Sequence, residues 1–335
     1  MADTVADQAT APRIAAVVLA HSRAETVAGT INAIVAQSAP PEALILVANG
    51  ASAEVLQVLK RKASEHPDAE VLILSENLGA AGGFHAGLRR ACERSDIDAA
   101  CCFDDDAVPL PGCLAALRGA LIELPNVGSV GAMTHDGSVN LAWPLHVVGR
   151  TEPLKTIAQA RALAAEIGPL PVHASSWHAL MIPTAAIRKA GNVWAELFHQ
   201  YEDAEFGLRL RAAGLNNYVI AAAECTHPAA PPAREVRVLK WTLRITSESP
   251  AKEYLNIRND LVVRRRHNGL RFWYGALPLI LMRGLIVCTN LSLPKALAVR
   301  SVYLGAMGAA ASGRLGPPPR RIVALGDAPA RTTPR

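Results

Sequence analysis

Three aspartates, Asp104, Asp105 and Asp106, stand side by side directly after the apolar run AACCF at 99–103. Adjacent carboxylates repel, and burying them is costly unless a cation or a hydrogen-bond network compensates. The pair Asp104 and Asp106, in Asp-x-Asp spacing, can hold Mg²⁺ or Mn²⁺, hard cations that take oxygen ligands and share their coordination with phosphate. A solvated acidic turn ahead of Pro109 would need no metal. A second acidic group, Glu202, Asp203 and Glu205, opens a stretch of helical pattern. Carboxylates are favourable at a helix N-terminus whatever else they do, and one of them could also serve as a general base. His227 follows the apolar run NYVIAAA at 217–223 and is a third group able to meet a metal, or simply a hydrogen-bonded structural histidine.

The elements that must position these groups alternate. Apolar runs at 13–22, 43–50, 70–75 and 99–103 read as strands, and stretches of helical periodicity at 24–38, 53–66 and 84–95 separate them. Continuous apolar runs suit strands buried on both faces. Strand–helix alternation implies right-handed crossovers and an open, mostly parallel twisted sheet flanked by helices, with ligands at the carboxyl ends of the strands. The aspartates stand at such an end. Further on, 151–168 reads as a helix capped by Thr151 with Pro153 in its first turn, 172–183 as a strand, and 201–214 as a helix stopped by Gly214.

The chain has 335 residues, half of them hydrophobic, and a formal net charge of +5. Such a charge could serve nucleic acid, an anionic membrane or a phosphorylated substrate. The densest basic cluster, Arg258, Arg264, Arg265, Arg266 and Arg271, adjoins the apolar segment 272–291, which favours an anionic membrane surface and no nucleic acid. Pro278, Arg283 and two glycines interrupt that segment, so an interfacial helix or helical hairpin is expected in place of a membrane span. The six cysteines (Cys92, Cys101, Cys102, Cys113, Cys225 and Cys288) form no CxxC pattern, so buried thiols in a reducing cytoplasm are expected and a structural zinc site is not. The expected layout is a flexible N-terminus over 1–12 without a signal peptide, a catalytic domain over 13–240, a helical C-terminal extension over 241–312 and a disordered Pro/Arg-rich tail over 313–335.

Two phosphate-handling classes fail on spacing. A P-loop needs GxxxxGK[ST], and the chain has no Gly-Lys pair. A dinucleotide fingerprint needs GxGxxG, whereas the glycines of LGAAGGFHAG fall at 79, 82, 83 and 87. A third class stays open. DDDAV satisfies the Asp-x-Asp-x-Thr/Val pattern of haloacid-dehalogenase-like phosphatases, with Asp104 as nucleophile, although it follows three complete strand units here and not the first strand.

Taken together, VVLAHSR, NLGAAGGFHAGL, FDDDAVP, FHQYEDAEFGLRLRAAG, THP and YLNIRN resemble the inverting, nucleotide-sugar-dependent glycosyltransferases of the GT-A fold in the large family 2. Within it the chain looks closest to rhamnosyl- and galactofuranosyltransferases of bacterial cell-envelope polysaccharides. The resemblance runs from about Arg13 to about Asn259 and implies a GT-A type sheet with a membrane-associating extension. It implies that Asp104, Asp106 and His227 meet Mn²⁺ or Mg²⁺, and that Asp203, second of the acidic pair with Glu202, is the catalytic base. Asn49, Asn77, Gly79, Gly82 and Asp105 would lie at the nucleotide sugar donor, and Trp177 and His178 would face the acceptor. Relatives usually carry an aspartate where this chain has Ala48, so Asn49 is expected to supply the hydrogen bond. The implied activity is transfer of a hexose, galactofuranose or rhamnose, to a polyprenyl-linked glycan by an enzyme peripheral on the cytoplasmic face of the membrane. A scaffold that has lost catalysis is the non-enzymatic alternative.

Overall fold

In a computed structural model, residues 11–228, 234–238, 241–245, 249–269, 271–289 and 293–326 are described. The expectations for residues 1–10 and 327–335 lie outside them. The chain divides into two compact units that interleave in sequence: Met1–Asn77, Gly83–Asn192 and Phe206–Ala229 form one, and Leu78–Gly82, Val193–Glu205 and Ala230–Arg335 the other. Contiguous boundaries at 240 and 312 therefore miss two short segments that pack with the C-terminal helices.

The first unit is built on β1 (Ile14–Ala20), α1 (Ala24–Val35), β2 (Ala43–Asn49), α2 (Ala53–Ser64), β3 (Ala69–Leu74), α3 (Gly79–Glu93) and β4 (Ala99–Asp104). There follow β5 (Val108–Pro109), α4 (Cys113–Glu123), β6 (Val127–His135), β7 (Asn140–Leu145), β8 (Leu154–Thr156), α5 (Ile157–Ile167), β9 (Leu170–Val172), β10 (His178–Pro183), α6 (Thr184–Ala190), α7 (Glu202–Ala212), whose first turn to Glu205 belongs to the second unit, and β11 (Asn216–Thr226). The strand order is β3-β2-β1-β4-β10-β6-β11-β5. β1 pairs in parallel with β2 and β4, and every residue of β1 and β2 is buried, which is why neither run alternates. Ala20 is paired with Ala48 and Leu19 with Asp104, so these strands deliver their carboxyl ends at one edge. Beyond β4 the sheet is mixed, because β10 runs antiparallel to both β4 and β6 while β11 is parallel to β6.

Glycines set the spacing of α3 from the sheet. A Cβ on Gly83 would come 2.2 Å from Leu19 Cδ1, and one on Gly87 would come 2.4 Å from Val17 Cγ1. The helix begins at Gly79 and not at Phe84, so the glycine stretch read as a loop is its first turn. The helix expected from Thr151 begins at Ile157. Thr156 accepts a hydrogen bond from Gln159 N and Gln159 Oε1 accepts one from Thr156 N, a reciprocal cap that outcompetes the Thr151–Pro153 start. The strand expected over 172–183 is two strands, β9 and β10, joined by 173–177.

The second unit includes the hairpin β12 (Arg234–Val238) and β13 (Trp241–Ile245), then α8 (Pro250–Asn268), a π-helical turn at Phe272–Ala276, α9 (Leu277–Thr289), α10 (Leu293–Ser312) and α11 (Arg320–Val323). Ser249 caps α8 and Pro250 opens it. Tyr254, Leu255 and Leu261 of α8 share a core with Tyr303 and Ala306 of α10 and Ile322 of α11. The tail read as disordered from 313 is thus ordered as far as 326, where buried Ile322 anchors it. Among the described residues no helix is long and apolar enough to cross a membrane.

Candidate functional site

At the carboxyl end of β4, Asp104 faces two histidines. His178 Nε2 lies 3.3 Å from Asp104 Oδ2. The ligand atoms of Asp104, His178 and His227 all lie within 4.8 Å of one another, close enough for one ion to meet all three. His227 follows β11, and its backbone N–H donates to His135 O of β6 at 3.0 Å. Trp143 of β7 covers both imidazoles, with ring centroids 4.9 Å from each.

The neighbouring aspartates are neutralised by Arg23, from the turn after β1, which donates to Asp105 Oδ1 and Asp106 Oδ2. Thr30 of α1 fixes the same turn by donating to Asp105 O at 3.0 Å. Burial pushes the Asp105 carboxyl up to about 6, with Arg23 opposing it. Burial pushes Asp106 up too, but its contact with His227 and the charge of Arg23 outweigh this and leave it below the usual carboxylate value.

A cation fits this set. His227 Nδ1 lies 2.6 Å from Pro228 O, a contact that places the proton on that nitrogen. Its Nε2 then turns a lone pair toward Asp106 Oδ1 at 3.1 Å, a buried oxygen that no hydrogen-bond donor satisfies. Two lone pairs facing each other in a buried site call for a metal ion or a proton between them. Burial lowers the basicity of His227, but its contact with Asp106 more than restores it, so the imidazole sits above its ordinary value and the position favours positive charge. Asp104, Asp106, His178 and His227 could hold Mn²⁺ or Mg²⁺ here.

Asn49 and Asn77 form a second polar group with His21. Asn49 Nδ2 donates to Asn77 Oδ1 at 3.3 Å, Asn77 Nδ2 meets His21 Nε2 at 3.2 Å, and His21 Nδ1 meets Asn49 O at 2.9 Å. Gly50 lets the chains approach: its φ is +55°, and a Cβ there would sit 2.3 Å from Asn77 N. Ala48 is buried. Trp177 is corrected: it is 3% exposed and stacked on Phe84 at 4.6 Å, so it belongs to the core and cannot face an acceptor. His178 lies instead in the cluster with Asp104 and His227.

In the second unit, Asp203 lies in the first turn of α7, half-buried, and its Oδ1 accepts from Ala204 N at 2.6 Å. Glu202 is buried. Glu205 is fully buried, 3.5 Å from His267 Nε2 and 3.8 Å from Arg266 Nε. The approach to this turn is strained: Phe198, Gln200 and Tyr201 have φ of 67°, 72° and 68°, a left-handed conformation that non-glycine residues avoid. Two buried residues of α8 hold it. Asn259 Nδ2 lies 3.0, 2.9 and 2.7 Å from the carbonyls of Leu197, His199 and Gln200. Arg258 donates to Leu197 O at 2.9 Å and Gly316 O at 2.6 Å. Arg258 is therefore structural and not part of a membrane-facing cluster; burial lowers its basicity. Gly79 shares this tight region, since a Cβ there would sit 1.9 Å from Phe198 O, and a Cβ on Gly82 would press on Leu78 Cβ at 2.5 Å.

A sequence model of the family described as "Glycosyltransferase like family 2" matches residues 12–245. The chain belongs to that family. Membership makes Asp104 part of a glycosyltransferase domain and sets aside the phosphatase alternative. Solved structures agree in fold. A GalNAc-T7 structure with UDP, GalNAc and Mn²⁺ superposes with TM-score 0.55 at 12% identity over 77% of this chain, which spans 48% of the length of that protein. The mannosyltransferase PcManGT from Pyrobaculum calidifontis, in complex with GDP-Man and Mn²⁺, superposes with TM-score 0.53 at 15% identity, covering 94% of this chain and 83% of its own. The fold of this glycosyltransferase is thus of GT-A type. No curated protein sequence matches it.

Three features escaped the sequence reading: Arg23, Trp143 and the place of His178 beside Asp104 and His227. Arg23 sits within the motif VVLAHSR, so a cation beside the first strand end was a usable signal. Trp143, in the largely apolar stretch LAWPLHVV at 141–148, gave none.

Proposed function

We propose that this glycosyltransferase carries out inverting, metal-dependent transfer of a hexose from a nucleotide diphosphate sugar. The observation that carries the reading is the gathering of Asp104, His178 and His227 beside the unsatisfied oxygen of Asp106 at the end of β4. Mn²⁺ or Mg²⁺ held there would neutralise the charge developing on the leaving diphosphate. Asn49, Asn77 and His21 offer hydrogen bonds to the nucleoside where an aspartate is replaced by Ala48. Asp203 acts as general base: the acceptor hydroxyl oxygen attacks the anomeric carbon, its proton passes to the Asp203 carboxylate, and the bond to the diphosphate breaks with its electron pair on the leaving oxygen. Attack opposite the leaving group inverts the anomeric centre. The UDP and GalNAc in the GalNAc-T7 structure and the GDP-Man in the PcManGT structure support a donor of this class.

Galactofuranose and rhamnose are the sugars proposed, on the strength of the motif resemblance, with a polyprenyl-linked glycan as acceptor. The reading places the enzyme peripherally on the cytoplasmic face of a membrane, and the surface of the second unit supports the membrane contact. Trp273, Tyr274, Leu281, Met282 and Leu285 are exposed large hydrophobics, and Arg265 and Arg271 close by are exposed. Amphipathic aromatics flanked by cations suit an anionic lipid surface. Flotation with anionic vesicles tests this: binding lost in neutral vesicles and in Trp273→Ala/Tyr274→Ala supports it, and equal flotation of all samples contradicts it. Transfer is tested by incubating UDP-galactofuranose and dTDP-rhamnose with a polyprenyl-diphosphate glycan and reading the product's anomeric configuration by NMR. An inverted product is expected; a retained configuration would overturn the single displacement.

A further inference from the structure

We propose that His178 is itself a metal ligand, so that the centre presents two imidazoles and selects a transition ion such as Mn²⁺ over Mg²⁺. This rests on the reading of Asp104 and His227 as metal-holding residues. The cluster geometry is the first support: His178 is 4% exposed, its Nε2 points at Asp104 Oδ2, and its ring lies 4.0 Å from the ring of His227. Bringing two tilted imidazoles this close is explained if both offer a lone pair to one ion.

The backbone supplies an independent support. Pairing of β10 with β4 is regular from Leu180 to Pro183 and slips between His178 and Leu180. At the slip, Ala179 has φ of 55°. A bulge re-aims the side chain beside it, and a left-handed alanine in a buried strand persists only where the surroundings demand it. The residue re-aimed here is His178.

The outer ring nitrogens agree. Metal-bound histidines have the non-ligating nitrogen held by a hydrogen bond that fixes ring and tautomer. Ser176 Oγ lies 2.8 Å from His178 Nδ1, as Pro228 O does from His227 Nδ1 at 2.6 Å. Both rings thus turn Nε2 toward the cluster. Nitrogen donors suit transition ions, whereas Mg²⁺ takes oxygen. Two imidazoles in one centre thus shift its preference away from Mg²⁺.

The experiment uses the full chain with Mn²⁺ alone. Pulsed EPR counts the imidazole nitrogens coupled to the bound ion, and loss of the free-ion signal gives the affinity. Two coupled imidazoles are expected in the unaltered protein and one in either His178→Ala or His227→Ala. His178→Gln keeps an amide N–H for Asp104 but offers no ring nitrogen. Its Mn²⁺ affinity is expected to fall at least about 10-fold, with Mg²⁺ affinity, read by competition, falling less. Full Mn²⁺ affinity in His178→Gln, or one coupled imidazole in the unaltered protein that persists in His178→Ala, would overturn the ligand role while leaving the Asp104–His227 reading intact. Absence of any stoichiometric Mn²⁺ binding would instead sink the metal reading on which it stands. Circular dichroism melting of each variant separates ligand loss from unfolding.

Discussion

Asp104 and Asp203 are the two acids on which the proposed chemistry turns, and different physics holds them. Asp104 ends a buried strand whose register against β1 is fixed residue by residue. Asp203 follows a turn in which three non-glycine residues are left-handed, each at a cost of about 1–3 kcal/mol. Asn259, 59 to 62 positions downstream, satisfies the carbonyls of that turn. The first acid is placed by the pairing of two buried strands and the second by side chains of a helix that grip its turn. Strain can be maintained near a reacting group only where something else over-determines it, and α8 supplies that here.

The largest expected effect is on Asp203. Asp203→Asn should lower transfer by about 100- to 10,000-fold while leaving Mn²⁺ and nucleotide binding as they were; a variant that transfers normally removes Asp203 as base. Next comes the strained turn. Asn259→Ala leaves carbonyls without donors at about 1–3 kcal/mol each, so a lowered melting temperature and reduced kcat are predicted, with Mn²⁺ affinity kept. Loss of Mn²⁺ binding at unchanged kcat would reverse the comparison. A smaller change should go the other way: Arg23→Ala strips a half-exposed cation from Asp105 and Asp106 and should raise Mn²⁺ affinity a few-fold, about 1 kcal/mol. Weaker Mn²⁺ binding would show that Arg23 organises the site and does not compete with the ion. The smallest change is expected of Trp177→Phe, a core replacement costing less than about 1.5 kcal/mol that should leave the acceptor KM unaltered; a raised KM would return Trp177 to the acceptor.

The same contrast explains what the sequence made legible. β1, β2, β3 and β4 could be read because continuous apolar runs between helical stretches have few other solutions, and the aspartates come with the last of them. The true start of α5 was also written, in the Thr156-x-x-Gln159 spacing, but a competing Thr-x-Pro start masked it. His178 was not readable as a metal-side residue, because the bulge that aims it depends on Ala179, a residue type with no preference for left-handed backbone. Arg258 counted as surface charge from its neighbours Arg264 and Arg265; only the packing of 197–200 against α8 makes it a buried donor. The interleaving of the two units has the same origin, since hydrogen bonds across some 60 positions leave no local trace.

The central claim is that the carboxyl end of β4 binds a nucleotide diphosphate through a metal. Calorimetric titration of nucleoside diphosphates and their sugars into the full chain, with Mn²⁺ and with chelator, tests it most directly when repeated with Asp104→Asn. The account predicts that one nucleotide binds with Mn²⁺, that chelator abolishes the binding and that Asp104→Asn loses it. Binding that is indifferent to both chelator and Asp104→Asn would contradict it.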